Sequence, residues 1–167
     1  YDIPFYSHSL TLLKNNKPYA AGVFDPLRDE LFFSYDKKFY LNNKIKCLNK
    51  VIPMQEALIS INTNQSNFDN EQYSLKKIVT KLGPPACRRI KIMESANLEL
   101  SYLACGRIDA YYNPTDKPWD IAAGIVIVRE AGGFVGDFEG GEKFFESGDI
   151  VAANPKYFKA IVQKLLV

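Results

Sequence analysis

Along the first fifty residues, apolar and polar positions alternate loosely in short runs that are separated by turn-forming residues. Alternation with a period of two is typical of β-strands. It predicts strands over residues 7–14, 20–24, 30–35, 39–41 and 45–48. Paired Asn residues and an Asp-Pro step lie between these runs, and both favour tight turns. Short strands joined by tight turns predict an antiparallel meander.

The pattern changes after Pro53, where short apolar runs begin to alternate with stretches that repeat apolar residues at helical spacing. Strands are predicted over residues 57–62, 89–93, 108–112, 134–137 and 150–153. Helices are predicted over residues 73–82, 95–105, 121–131 and 156–166, and a polar loop over residues 62–70. A meander followed by alternating strands and helices predicts a layered α/β architecture, divided into residues 1–50 and residues 51–167.

The composition restricts the classes of function. The 167 residues are 47% hydrophobic, which suits one domain, or a large part of one, with a sizeable core. The chain has 21 basic and 19 acidic residues, and this balance argues against nucleic acid as a partner. No apolar run approaches the roughly 18 residues of a membrane span, so no membrane partner is expected.

The cysteines and the N-terminus indicate the expected location. Cys47, Cys87 and Cys105 are widely spaced, and with the single His8 they form no zinc-binding pattern. This spacing predicts reduced thiols in a cytoplasmic protein. The first ten residues have neither a starting Met nor the pattern of a signal peptide, which is typical of a sequence that starts in the middle of a domain.

An acidic residue at a predicted helix start is the most informative feature of the chain. Asp120 lies within the segment PWDIAAG, directly after a polar loop. An Asp at this place is often an ordinary N-cap. The small residues that follow leave room for another backbone, and a helix N-terminus favours anions. A carboxylate here therefore also suits a bound divalent cation beside a phosphate. The residues alone leave both interpretations open.

Two further stretches contain candidate ligand-binding residues. Glu94, Ser95 and Ala96 stand at a predicted strand-to-helix junction, where backbone N–H groups can bind phosphate or sugar hydroxyls. Ser95 can equally be a plain N-cap. Asn113 follows a predicted strand and precedes Pro114, so it can face a ligand or simply form a turn.

Together, these stretches resemble the inositol monophosphatase family. The matching segments are ESANLELSYLACGRIDAYYN, KPWDIAAGIVIVREAGGFVGD and IVAANPKYFKAI. They correspond to a substrate loop with its helix and strand, the WDxAAG metal motif with an EAGG turn, and a VAAN strand end. The earlier segment IPFYSHSLTLLKNNKPYAAGVFDPLRDELFF resembles the antiparallel sheet that follows the family's DPIDGT motif. The resemblance therefore covers nearly the whole chain.

The resemblance implies a five-layer αβαβα fold and hydrolysis of a phosphate monoester with Mg²⁺, inhibited by lithium. The implied partner is a small molecule, inositol monophosphate or a related sugar phosphate, and a homodimer is a further expectation. The resemblance also implies that Asp120 binds a metal ion and contacts the substrate. It assigns Glu94, Ser95 and Ala96 to the substrate loop, and it places Asn113 where many members carry a Glu that contacts substrate hydroxyls.

Three departures from the family pattern limit what the resemblance implies. Glu94 replaces the usual Gly, and Asn113 replaces the usual Glu, which leaves the substrate open. The sequence contains no DPxDGT motif and no upstream Glu-Glu pair, so no catalytic residue is assigned within this chain and these ligands are expected upstream in a longer parent. Two alternatives stay open: fructose-1,6-bisphosphatase-type activity, or a catalytically incomplete chain with a binding or regulatory role.

Overall fold

The computed structural model describes residues 4–15, 17–48, 52–62 and 74–166. The strands in these ranges are β1 (His8–Lys14), β2 (Lys17–Asp25), β3 (Glu30–Tyr35), β4 (Lys38–Leu41), β5 (Lys44–Lys46), β6 (Leu58–Ile61), β7 (Arg89–Lys91), β8 (Ala110–Asn113), β9 (Phe134–Gly136) and β10 (Ile150–Ala153). The helices are α1 (Leu75–Leu82), α2 (Ala96–Ala104), α3 (Pro118–Glu130), α4 (Phe144–Ser147) and α5 (Pro155–Leu166).

The first five strands form one antiparallel sheet in the order β1-β2-β3-β4-β5, so the predicted meander is confirmed. Tight turns produce this order, and Asn42 illustrates how one of them is held. Its φ of 46° lies in the left-handed region, which Asn tolerates better than most residues. Its side-chain oxygen accepts a hydrogen bond from the Leu31 N–H at 2.7 Å, and its amide donates to the Asp29 carbonyl at 3.2 Å. Two neighbouring turns are thereby tied together.

The second sheet is mixed, in the order β7-β6-β8-β10-β9. Strand β6 pairs in parallel with β7 and β8, whereas β10 is antiparallel to β8 and β9. Parallel strands need a crossover connection. The segment between β6 and β8, which contains α1, β7 and α2, provides that connection and carries α2 across to the side facing the first sheet.

Alternate residues of the second sheet enter different cores, and each face of the sheet is therefore covered by helices. Tyr111 of β8 packs in the core with α2 and α3, whereas Ala110 and Tyr112 pack with α1 and α5. Val23 and Phe32 of the first sheet join the core of α2 and α3. The order of layers is first sheet, α2 with α3, second sheet, and α1 with α5. These are four layers of the αβαβα sandwich that the resemblance implies.

The outer face of the first sheet carries exposed apolar side chains. Leu10 is 78% exposed, Tyr35 is 66% exposed and Ile45 is 62% exposed. The strand registers put all three on the face opposite to Val23 and Phe32. Exposed apolar side chains on one face of a sheet are typical of a contact region.

The predicted element boundaries need three corrections. Helix α3 begins at Pro118 rather than at residue 121, because Pro is well suited to the first position of a helix. Strand β8 ends at Asn113, which pairs with Ile150, so Asn113 lies in a strand and not in the loop that follows. The pattern also fails to predict α4, since four residues are too few to show a helical period.

Two predictions fall largely on residues outside the described ranges. These are the polar loop over residues 62–70 and the division of the chain at residue 50. Both stay predictions. Within the described ranges, no helix combines the length and the apolar character needed to cross a bilayer.

Replacing Gly124 of α3 with Ala is expected to lower the free energy of unfolding by about 1–3 kcal/mol. An added Cβ would lie 2.5 Å from the Cβ of Leu100, so α2 and α3 would have to separate. Urea unfolding of the chain measures the effect. Gly22→Ala is the matched control, because a Cβ there has its nearest neighbour 4.0 Å away. Equal stability of Gly124→Ala and the wild type would contradict the close helix contact.

Candidate functional site

A polar cavity of about 410 Å³ lies beside the N-termini of α2 and α3. Its walls come from the start of each helix, the end of β8 with the loop that follows, and the first sheet. The lining residues are Ser7, Ser9, Asn62, Glu94, Ser95, Ala96, Asn97, Asn113, Thr115, Asp116, Trp119 and Asp120. Every predicted site residue is among them, so the structure brings the predicted residues together. Their roles stay predictions. A second cavity of about 260 Å³ contains none of them.

The predicted substrate loop forms the N-terminus of α2. Ser95 occupies the N-cap position, but its hydroxyl makes no capping hydrogen bond. The Glu99 carboxylate instead accepts a hydrogen bond from the Ser95 N–H at 2.8 Å. N–H groups in the first turn of a helix have no partner within the helix and can bind an anion. This end of the cavity is therefore suited to a phosphate group.

Glu94, which precedes this N-terminus, has a left-handed backbone with a φ of 63°. A side chain with a Cβ disfavours this conformation, whereas glycine adopts it readily. The departure from the family's usual Gly therefore introduces backbone strain as well as a carboxylate. The Glu94 N–H donates to Asn62 Oδ1 at 3.3 Å, which links the loop to the end of β6.

Glu99 of α2 is fully buried beneath the cavity, and the sequence analysis missed it. Its carboxylate accepts hydrogen bonds from Ser60 Oγ at 2.5 Å and from Asn62 Nδ2 at 2.7 Å, in addition to the Ser95 N–H. Burial raises the pKa of Glu99, and these donors oppose that rise. An acidic residue between Leu98 and Leu100 on a buried helix is the sequence signal that could have identified it.

Asp120 is the third residue of α3, and the N-cap is Lys117. The Lys117 N–H donates to Asp120 Oδ2 at 3.4 Å. The interpretation of Asp120 as the N-cap residue is therefore wrong, because the helix begins earlier at Pro118. The Asp120 side chain is exposed at the cavity, where its carboxylate oxygens are accessible to a cation.

Asn97 fixes the two helix N-termini relative to each other. Its oxygen accepts a hydrogen bond from the Gly124 N–H at 2.8 Å, and its amide donates to the Trp119 carbonyl at 3.3 Å and to Ser9 Oγ at 3.0 Å. Trp119 is 73% exposed, so its ring does not hold the loop before α3 in place. The buried amide of Asn97 does so instead.

Asn113, at the end of β8, uses its side-chain amide within the protein. Its Nδ2 donates to Asp116 Oδ1 at 2.8 Å and to the Tyr111 hydroxyl at 3.2 Å. Its Oδ1 accepts from the Thr115 N–H at 3.2 Å, which closes a turn across Pro114. Both amide donors of Asn113 are therefore used within the protein, and its contact with a substrate stays a prediction.

Asp116 is a buried carboxylate that the sequence analysis treated as part of a polar loop. The Tyr111 hydroxyl donates to its Oδ2 at 2.8 Å. The pKa of Asp116 is raised to about 7, mainly by burial. The charges of Asp120, Glu99 and Glu94 add to this rise, and the Tyr111 hydrogen bond opposes it. The sequence contains no local signal for this site, because Asp in a loop before a helix is ordinary.

The described part of the chain contains no group of three or more His, Cys, Asp or Glu side chains arranged to hold a metal ion. Asp120 offers the hard oxygen ligands that Mg²⁺ prefers. A hydrolytic metal centre needs several such ligands around the ion. The described residues therefore do not build the implied Mg²⁺ site by themselves.

Replacing Glu94 with Gly is expected to raise the free energy of unfolding by roughly 1 kcal/mol, because glycine relieves the left-handed backbone. Urea unfolding at neutral pH measures the change. Glu94→Ala is the matched variant, since it removes the same carboxylate but keeps a Cβ. A gain of equal size in both variants would show that charge, and not backbone conformation, is responsible.

The raised pKa of Asp116 predicts a pH-dependent stability. The pKa lies near 3.8 in the unfolded chain and at about 7 in the folded protein, so the folded state holds the proton more tightly. The stabilisation is complete below about pH 4 and is lost as the pH rises through 7. Between pH 4 and pH 8, the free energy of unfolding of the wild type should fall by about 2–4 kcal/mol more than that of Asp116→Asn.

Urea unfolding in metal-free buffer across this range checks the prediction, because titrating groups that do not interact with Asp116 contribute equally to both proteins. Parallel stability curves for the two proteins would mean that Asp116 titrates normally.

Comparison with known proteins agrees with the family suggested by the motifs. The sequence model of the Inositol monophosphatase family matches residues 1–166. The Nus factor SuhB of Xylella fastidiosa is 36% identical over 171 residues, and that of Escherichia coli K12 is 33% identical over 165 residues. Each match covers 98% of this chain but 61% of the relative, so the chain spans less than two thirds of their length.

Solved structures have the same fold. The extragenic suppressor protein SuhB from Bartonella henselae superposes with a TM-score of 0.90 at 28% identity, covering 97% of this chain and 62% of that chain. The Thermotoga maritima IMPase superposes with a TM-score of 0.84 at 27% identity, covering 96% of this chain and 60% of that chain. With matching motifs, fold and family model, the chain belongs to the inositol monophosphatase family.

Proposed function

We propose that the full-length protein containing this chain hydrolyses a phosphate monoester with Mg²⁺, with inositol monophosphate or a related sugar phosphate as substrate. The observation that carries the proposal is the shared cavity, in which Asp120 at the start of α3 faces the N-terminus of α2. A helix N-terminus binds a phosphate, and an exposed carboxylate beside it can hold the cation that phosphate chemistry requires. On this proposal, the chain supplies the substrate side of the active site.

The residues of this chain bind and orient the substrate. The first-turn N–H groups of α2 hold the phosphate, and the buried carboxylate of Glu99 keeps that loop in place through the Ser95 N–H. Asn97 holds α3 against α2, so that Asp120 keeps its place relative to the loop. When bound, Mg²⁺ supplies Lewis acidity and an activated water. Asp120 is the one ligand that we assign here, and the remaining ligands belong to the rest of the parent protein.

A second candidate function follows from the names of the relatives. The curated relatives are called Nus factor, which is not the name of a phosphatase. These names favour the alternative of a binding or regulatory role, and they give no support to the expectation of no nucleic-acid partner. Phosphatase activity that the parent protein has and its Asp120→Asn variant lacks would support the catalytic role, and an inactive parent protein would support the binding or regulatory role. A cytoplasmic location and a homodimer are also part of the proposal.

In the parent protein, Asp120→Asn is expected to lower kcat/KM for inositol 1-phosphate on the order of 100-fold or more, because it removes a charge that binds the metal and leaves the volume almost unchanged. Steady-state phosphate release with Mg²⁺ measures it. Asp29→Asn, in an exposed turn with a φ of 51°, is the matched control and should keep full activity. Wild-type rates in Asp120→Asn would refute the metal-binding role.

The 167-residue chain alone is expected to release no phosphate under the same conditions, because one carboxylate cannot form a multi-metal centre. Metal-dependent turnover by this chain would show that it carries ligands beyond Asp120.

A further inference from the structure

We propose that the Asp116 carboxylate is the group that selects the substrate, by accepting a hydrogen bond from a ring hydroxyl of a cyclic polyol monophosphate. This inference rests on the proposed phosphatase function and deepens it. The residue expected to make this contact is Asn113. Asp116 lies three residues further along the chain, and neither composition nor motif identifies it.

The N–H donors of Asn113 are not available to a substrate, because both are already used within the protein. A side-chain amide has two N–H donors. Both are used within the protein, one on Asp116 Oδ1 at 2.8 Å and one on the Tyr111 hydroxyl at 3.2 Å. The Asn113 oxygen accepts from the Thr115 N–H. What Asn113 does in this arrangement is hold the Asp116 carboxylate in place.

Asp116 has the properties of a prepared acceptor. It lines the cavity and is 8% exposed, with the Asn113 amide on one oxygen and the Tyr111 hydroxyl on the other. The loop is fixed as well, since the Asp116 N–H donates to the Gly148 carbonyl at 2.9 Å. A carboxylate has about four lone-pair sites and accepts two bonds here, so capacity for a hydroxyl remains. A rigid, pre-positioned acceptor loses little entropy when it binds.

The chemistry of the ligand follows from the acceptor. A carboxylate accepts from hydroxyl donors, and such charge-assisted bonds are roughly twice as strong as neutral ones. A polyol ring offers several hydroxyls, whereas a second phosphate placed beside Asp116 would bring negative charge that its carboxylate repels. Although Asn113 replaces the family's Glu, the ionised form of Asp116 still places a negative charge at this wall of the cavity. Monophosphates are favoured over bisphosphates.

The test compares two substrates in the full-length protein. Inositol 1-phosphate offers ring hydroxyls, and p-nitrophenyl phosphate offers none. In Asp116→Asn, kcat/KM for inositol 1-phosphate should fall about 10- to 100-fold relative to kcat/KM for p-nitrophenyl phosphate, the range expected for one hydrogen bond to a charged group. Asp116→Ser is the second variant if Asp116→Asn fails to fold, and the same ratio is measured. Asp116→Glu, which keeps the charge, should retain most of the preference.

The outcomes are distinct. If Asp116→Asn and Asp116→Ser lose equal activity on both substrates, or none, the ratio of the two kcat/KM values is unchanged. That result would overturn the role of Asp116 and leave the phosphatase proposal intact. If the wild-type protein hydrolyses neither substrate with Mg²⁺, the proposed function itself fails. A selective loss on inositol 1-phosphate with the Asp29→Asn control unaffected supports the inference.

Discussion

The close contact between α2 and α3 is the constraint on which the cavity depends. Gly124 lets the helices approach, because any Cβ there would overlap Leu100. The approach brings the Gly124 N–H within 2.8 Å of Asn97 Oδ1, and the Asn97 amide then reaches the Trp119 carbonyl. One glycine and one asparagine therefore fix two helix N-termini side by side. A larger separation would leave Asp120 and the α2 N-terminus unable to share one ligand.

Two buried carboxylates, Glu99 and Asp116, also organise the cavity, and they differ in the number of hydrogen bonds that they accept within the protein. Glu99 is enclosed and accepts hydrogen bonds from three donors, which belong to Ser60, Asn62 and Ser95. Such a network stabilises a unique arrangement when every member has a partner. Asp116 has two donors and stands at the cavity wall, and its pKa rises to about 7. Glu99 therefore supports the structure, whereas Asp116 keeps part of its hydrogen-bonding capacity for something outside the protein.

The sequence predicted most of the fold because the elements follow periodic patterns. Glu30–Tyr35 and Ile150–Ala153 match their predicted ranges, since alternation or an apolar run bounded by turn residues marks both. Errors occur where tertiary contacts decide. Asn113 is held in β8 because it pairs with Ile150 of β10. These two residues are 37 positions apart in the sequence, so a local pattern cannot reveal the pairing.

The candidate site was predictable only as far as its motifs extend. Family motifs identified Asp120 and the segment 94–96, and the structure places them around one cavity. Asp116 and Glu99 were not predicted as site residues, because an Asp in a loop and a Glu in a helix are common in any sequence and only folding buries them. A buried, ionisable group is a property of the packed chain, and periodicity carries no information about it.

Two unfavourable features of this chain coincide in the same cavity. Glu94 holds a left-handed backbone that glycine would adopt without strain, and Asp116 is a carboxylate buried near other acidic groups. Each lowers the stability of the folded state at neutral pH. The packing of the two cores is regular by contrast, with alternating strand residues and apolar helix faces. The strained backbone of Glu94 and the buried charge of Asp116 both lie at this cavity. Such features are common where a protein is organised for a ligand rather than for stability, which agrees with the proposed site.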